Sequence, residues 1–392
     1  MSDSVVVTGV GMTPFLKPGG APYTDLAREA VRGALQDAGI GYECIEQAYV
    51  GWVYGDTASG QAALYGVCQS GIPIVNVNNA CATGSTALYL ARQAVATGAV
   101  ECALALGFEQ MPPGAVDITY HDRPSPFAKF MDVANRKFKD AEQVPIAIRV
   151  FAGAGFEYQQ KYGAPNELFA KVRVKASRHA QHNERAIFRK VLSVEEVLSS
   201  PSLFLNLTRL QACPPTCGAA AAILCSEAFA KRHSLSARVR MRAQAMATDC
   251  PSTFQDGMIN VVGADMTRRA AMKVYETAGV GPEDIDLLEL HDCFTVAEVI
   301  YSEALGLCGE GDTEKFVEDG DNTYGGKFVI NPSGGLLSKG HPLGATGIAQ
   351  CAEIVWQLRG EAGARQVQNA RLALQHNLGL GGACVVGLYE RM

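Results

Sequence analysis

Cys81 and His341 sit where a thiol could act as a nucleophile with an imidazole beside it. Cys81 stands in Asn78-Asn79-Ala80-Cys81-Ala82-Thr83-Gly84-Ser85, and His341 in Gly340-His341-Pro342-Leu343-Gly344-Ala345-Thr346-Gly347. The pattern predicts an apolar strand before each (74–77 and 328–330) and a helix after each (87–95 and 347–358). A helix N-terminus brings positive potential and free backbone N–H groups, which lower a thiol's pKa from about 8.5. An imidazole nearby would serve as its base. Taken singly, one residue reads as a packed thiol and the other as a helix cap. Their equivalent placement, with glycines around both, favours chemistry.

A second constellation follows the apolar run Leu287-Leu288-Glu289-Leu290, which ends in His291-Asp292-Cys293-Phe294. Titratable residues at the C-terminal end of a strand in an α/β sheet lie where ligands bind. His291 and Cys293 alternate and so share a side if the extended geometry continues; the plainer alternative is a surface turn with a buried thiol. Gln375-His376-Asn377-Leu378-Gly379-Leu380-Gly381-Gly382 is a glycine-rich turn between apolar strands. Its N–H groups could hold an oxyanion or a phosphate, or the turn could merely reverse the chain.

The elements that must position these residues repeat. Ala38-Gly39-Ile40-Gly41 with Glu43, Ile45 and Glu46 returns 240 residues later as Ala278-Gly279-Val280-Gly281 with Glu283, Ile285 and Asp286. Each copy closes a predicted helix (23–38 and 265–278) and leads into a strand (48–53 and 287–290). Cys81-x-x-Gly84-x-Thr86 returns 260 residues later as His341-x-x-Gly344-x-Thr346. Two echoes in the same order predict a duplicated α/β unit with mostly parallel sheets covered by helices. The halves are expected over 1–236 and 237–392. The first is lengthened by a loop domain inserted at about 112–210, which carries Arg123, Lys129, Arg136, Lys137, Lys139 and Asp140.

Composition limits what such a fold could do. The 392 residues are 48% hydrophobic and 19% charged, which excludes a disordered chain. The formal net charge of −6 argues against a nucleic-acid partner. No apolar run approaches the roughly 18 residues of a membrane span. The first residues lack a signal-peptide pattern and the last four, Tyr389 to Met392, are not a peroxisomal tripeptide, so a cytoplasmic location is expected. The twelve cysteines include no CxxC pair, Cys213 and Cys217 have no matching second half, and no metal site or disulfide is expected. Most read as small buried hydrophobes.

The Cys81, His291-Asp-Cys-Phe294, Gly340–Gly347 and Gln375–Gly382 motifs together resemble the four active-site loops of thiolases. They look most like the sterol carrier protein 2 (SCP-x) type, and Asp321–Gly326, Leu358–Gly363 and Thr8–Phe15 extend the likeness. The resemblance implies a five-layered αβαβα fold of two similar halves. It implies an acyltransferase cleaving 3-oxoacyl-CoA with CoA, or running the reverse condensation, with no covalently bound cofactor and coenzyme A as co-substrate. Cys81 would be the acylated nucleophile, His341 its activator, His291 a partner in the first oxyanion hole, and Cys293 the acid/base. His376 stands where most thiolases carry a second cysteine, and backbone N–H groups near Cys81 and Leu378–Gly379 would form the second oxyanion hole. Ala80 departs from the asparagine common before the nucleophile. Lys171, Arg173, Lys175 and Arg178 in the insert either meet the CoA phosphates or form a solvated helix face. Thiolases are dimers or dimers of dimers, so the same is expected here. A thiolase-like retro-aldolase and a non-catalytic acyl-CoA-binding subunit are the alternatives.

Overall fold

A computed structural model describes residues 4–114, 120, 122–139, 141–255 and 257–392, so Asp140 and part of the expected insert lie outside the described residues. The strands in chain order are β1 (Val5–Met12), β2 (Gln47–Gly51), β3 (Ile74–Val77), β4 (Cys102–Glu109), β5 (Ser202–Phe204), β6 (Leu207–Thr208), β7 (Gly218–Ser226), β8 (Val239–Ala247), β9 (Leu287–Glu289), β10 (Val329–Ile330), β11 (Leu372–Leu378) and β12 (Cys384–Arg391). Ten of them follow the order β10-β9-β11-β12-β8-β1-β7-β4-β2-β3. Read outward from the β8–β1 junction, both directions give the same succession. β1, β7, β4, β2, β3 on one side match β8, β12, β11, β9, β10 on the other, which is the duplication that the sequence echoes announce. The outer three strands of each set are parallel. The inner pairings are antiparallel, and the sets meet through the single pair Val6↔Arg240.

Alternation along the strands sorts the core into layers. Val6, Ala221 and Ile223 face an outer cluster with the helix Tyr23–Ala38, while Val5, Val7, Ala220 and Ala222 face a central one. The central cluster holds the helices Thr83–Ala96 and Thr346–Arg359 through Leu88, Ala91, Ile348 and Val355. On its far side lie Met241, Leu287, Ala373 and Tyr389, and the opposite faces of those strands pack on the helices Ala264–Ala278 and Thr295–Ala304. Helix, sheet, helix, sheet, helix are therefore stacked in five layers.

The two central helices meet through glycines. A Cβ on Gly84 would lie 2.7 Å from Gly344 O, and one on Gly347 only 2.1 Å from Ser85 Oγ. Their N-termini therefore touch backbone to backbone, which only glycine permits. This contact brings Cys81 and His341 together.

Between β4 and β7 the chain forms the helices Ala128–Lys137, Ile146–Tyr162, Asn166–Ala180 and Val194–Leu198 and the β5–β6 hairpin. This region packs on the second half: Phe151 stacks on Phe294 with ring centroids 4.7 Å apart.

Candidate active site

Cys81 sits on a tight turn between β3 and the helix Thr83–Ala96. Thr83 Oγ1 accepts the Asn79 N–H at 2.8 Å and donates to Ala80 O at 2.6 Å, while Asn78 Oδ1 accepts the Ala80 N–H at 3.1 Å. The turn holds Ala80 at φ 49°, a left-handed conformation that costs a non-glycine residue about 1 kcal/mol and marks a constrained position. The thiol does not follow the sequence expectation of a lowered pKa. Burial pushes it up to about 12, the Glu109 carboxylate adds to this, and its own backbone N–H pulls back less. Desolvation outweighs the helix terminus. Cys81 therefore rests as a thiol, and to act as a nucleophile it would need a base.

His341 could supply that base, and its tautomer is defined. Its Nδ1 lies 2.7 Å from Thr346 Oγ1, whose own hydrogen goes to Pro342 O at 2.9 Å. The hydroxyl must therefore accept from His341 Nδ1–H, and Nε2 carries the lone pair. Among the described residues this buried Nε2 has no hydrogen-bond partner. One donor atom each from Cys81, His291 and His341 lie within 4.8 Å of one another. The two imidazoles meet edge to face, centroids 5.0 Å apart. Burial lowers the His341 pKa to about 3 and, with the fields of His341 and His376, pulls His291 well below the usual range. Both rings are neutral at physiological pH.

Cys293 is buried in the next loop, and burial, with Cys213, Cys81 and Asp292 adding, raises its thiol pKa well above the ordinary value. A thiol held protonated suits a general acid. Cys213, read from sequence as a bland hydrophobe, donates its backbone N–H to Cys293 O at 2.9 Å. The segment it belongs to runs on to pair Pro215 with His341, and Thr216 Oγ1 accepts the His341 N–H at 3.2 Å. Only its spacing to Cys217 stood out in the sequence.

Glu109 was also missed. It is fully buried at the end of β4 and accepts the N–H groups of Tyr54 (2.9 Å), Val53 (3.0 Å) and Gly344 (3.0 Å). It thereby ties the β2 loop to the His341 loop across the two halves. Burial raises its pKa from 4.5 to about 7, the backbone donors pulling back. A folded-state pKa above the unfolded one means that protonation favours the fold. This contribution is full below pH 4.5 and is lost as pH rises toward 7, about 3 kcal/mol in all. Glu109→Gln is expected to lose that slope. Denaturant midpoints at pH 4.5 and 7 for both proteins check it, and parallel slopes would count against the burial argument.

The structure redistributes other expected site residues. His376 lies behind His291: its Nδ1 accepts the His291 backbone N–H at 3.4 Å, and its Nε2 meets Thr267 Oγ1 at 2.9 Å. Leu378 is buried, and the Gly379 N–H is spent on Ala383 O at 2.8 Å, so it is not a free oxyanion donor. Gly379 contributes closeness instead, since a Cβ there would lie 3.0 Å from Cys81 N and 2.2 Å from Asn79 O. Of the basic residues expected at CoA, Arg173 is buried against Ser338 and Lys175 is buried in an ion pair with Glu298. Neither reaches a phosphate, because each cation is consumed holding the insert to the second half. Lys171 pairs with Glu318 at 2.8 Å near the surface, and Arg178 is exposed.

Residues 5–228 match the family described as thiolase, N-terminal domain, and residues 252–386 the thiolase C-terminal domain-like family. Sterol carrier protein 2 of Bos taurus is 52% identical over 395 residues, covering 100% of this chain and 73% of that protein. The structure of an Ltp2-ChsH2(DUF35) aldolase superposes with a TM-score of 0.83 at 24% identity, covering 99% of this chain and 98% of that one. Human mitochondrial 3-ketoacyl-CoA thiolase superposes with a TM-score of 0.74 at 18% identity, covering 100% and 99%. These two structures establish the fold. With both halves of the sequence matched and a relative above half identity along the whole of this chain, the chain belongs to the thiolase family and resembles its sterol carrier protein 2 members over its own length.

Proposed function

We propose that this thiolase-family acyltransferase cleaves 3-oxoacyl-CoA with CoA, or runs the reverse condensation, through an acyl group carried on Cys81. The observation that carries the reading is the unpartnered, buried His341 Nε2 in a cluster with Cys81 and His291. Thiol and imidazole rest neutral, so the proton moves to His341 as Cys81 Sγ attacks the 3-keto carbon, and no free thiolate is stored. The resulting oxyanion is held by N–H donors, among them His291, each worth about 3 kcal/mol of barrier. Breaking the Cα–Cβ bond releases the enolate of the departing acyl-CoA, and Cys293 gives its proton to the enolate carbon. The Cys293 thiolate then takes the proton of incoming CoA, whose sulfur attacks the acyl-Cys81 thioester. Cys81 leaves as thiolate and recovers its proton from His341.

CoA as co-substrate is supported by the human mitochondrial enzyme, which has been solved in complex with CoA. Lys171 and Arg178 remain the candidates for its phosphates. The halves 1–236 and 237–392 and a homodimer or dimer of dimers belong to the same reading. Edge strand β3, half-exposed at Ile74, Val75 and Val77, would be covered by such a partner. A cytoplasmic location completes it.

Steady-state thiolysis of acetoacetyl-CoA and of longer and branched 3-oxoacyl-CoAs tests the proposal. Turnover in the ordinary enzymatic range of about 1–10³ s⁻¹ is expected with at least one of them. Failure with every chain length, with the protein folded, would favour the retro-aldolase or the binding subunit.

A further inference from the structure

The mechanism asks opposite things of two adjacent imidazoles: His341 must offer a lone pair and His291 an N–H. We propose that Gln375, Ser85 and Asn377 are positioning residues that lock His291 in the Nε2–H form. This rests on the thiolase reading for its consequence but on hydrogen-bond polarity for its argument.

The polarity starts at a backbone carbonyl. Gln375 bonds Gly347 O, and a carbonyl only accepts, so the atom there is the amide Nε2. The other end agrees, since Tyr389 donates its hydroxyl to Gln375 Oε1 at 2.6 Å. The same Nε2 donates to Ser85 Oγ at 3.1 Å. Ser85 is then free to give its single hydrogen to Asn377 Oδ1, 2.7 Å away. That fixes the Asn377 amide with its Nδ2 toward His291 Nδ1, at 3.0 Å. A donor facing Nδ1 requires a lone pair there, which places the ring hydrogen on Nε2. Ser85, Gln375, Asn377 and Tyr389 are all fully buried, so water does not compete.

The arrangement is the mirror of the one at His341, where Thr346 and Pro342 O demand Nδ1–H. Pro342 O, in the His341 loop, and Gly347 O, in the first turn of the helix that follows it, stand at the head of the two relays. One continuous segment thus makes its own histidine an acceptor and the neighbouring histidine a donor. An imidazole presenting N–H is a poor metal ligand, so the relay also biases the cluster toward an oxyanion and away from a cation.

Asn377→Asp inverts the last link, because a carboxylate accepts and pulls the hydrogen to Nδ1. The test is ¹⁵N NMR of histidine-labelled protein, with His291→Asn used to assign the ring signals. In the wild type, His291 Nδ1 is expected in the unprotonated range and Nε2 in the protonated range. In Asn377→Asp the two exchange, and kcat for thiolysis falls on the order of 10²–10³-fold with KM little changed. A wild-type His291 protonated at Nδ1 would overturn the proposal even if the variant did not fold. So would an Asn377→Asp enzyme whose kcat stays within about threefold of wild type, far short of the loss of an oxyanion donor. The tautomer result does not depend on the acyl substrate, whereas absent wild-type thiolysis with the expected tautomer would sink the functional reading alone.

Discussion

Cys81→Ala is expected to lower thiolysis on the order of 10⁵-fold or more, the largest effect of any single substitution in this chain. No other described thiol has Cys81's surroundings. Cys81 is clustered with His341 and His291, at the contact of the two central helices. Removing a covalent nucleophile forfeits the acyl-enzyme route itself, and what remains comes from oxyanion donors and binding. The fold should survive, because the turn is built by Thr83, Asn78 and Ala80 rather than by the sulfur. Thermal unfolding is therefore expected to shift only slightly while kcat collapses. A Cys81→Ala enzyme with more than about a tenth of wild-type activity would remove Cys81 from the mechanism.

Cys293→Ala is expected to cost about 10²–10⁴-fold in kcat, the range of a positioned acid/base. The structure gives this thiol the property the task needs, a proton held firmly by burial until the enolate forms. The loss should fall on both half-reactions, because one group protonates the enolate and deprotonates CoA. Deuterium exchange at the α-carbon of the product acyl-CoA isolates the first of these. Wild-type protein acylated at Cys81 is expected to exchange it, and the Cys293→Ala protein to lose exchange in proportion to kcat. Undiminished exchange would transfer the role to a neighbour, Cys213 being joined to Cys293 by a backbone hydrogen bond.

The fold and the meeting of Cys81 with His341 were readable because both are written as local, repeated signals. Gly84-x-Thr86 and Gly344-x-Thr346 stand at the same spacing from Cys81 and His341, so the equivalence of those two residues could be seen before any contact was known. What escaped depends on partners far apart in the chain. Glu109 meets Gly344 across 235 residues and Ser85 meets Asn377 across 292, with no period to announce them. Arg173 and Lys175 misled for the same reason. A basic helix looks solvated until Ser338 and Glu298, 165 and 123 residues away, are found beneath it. The thiol pKa went astray because a helix terminus is visible in sequence and desolvation is not.

Passage of the acyl group through Cys81 is the central claim, and mass spectrometry of a trapped intermediate tests it most directly. Wild-type protein is mixed with acetoacetyl-CoA in the absence of free CoA, quenched in acid and digested. The expected result is an acetyl thioester on the peptide containing Cys81, discharged when CoA is added before the quench and absent from Cys81→Ala. Turnover with no adduct at Cys81, or with the acetyl group on Cys213 or Cys293, would contradict it.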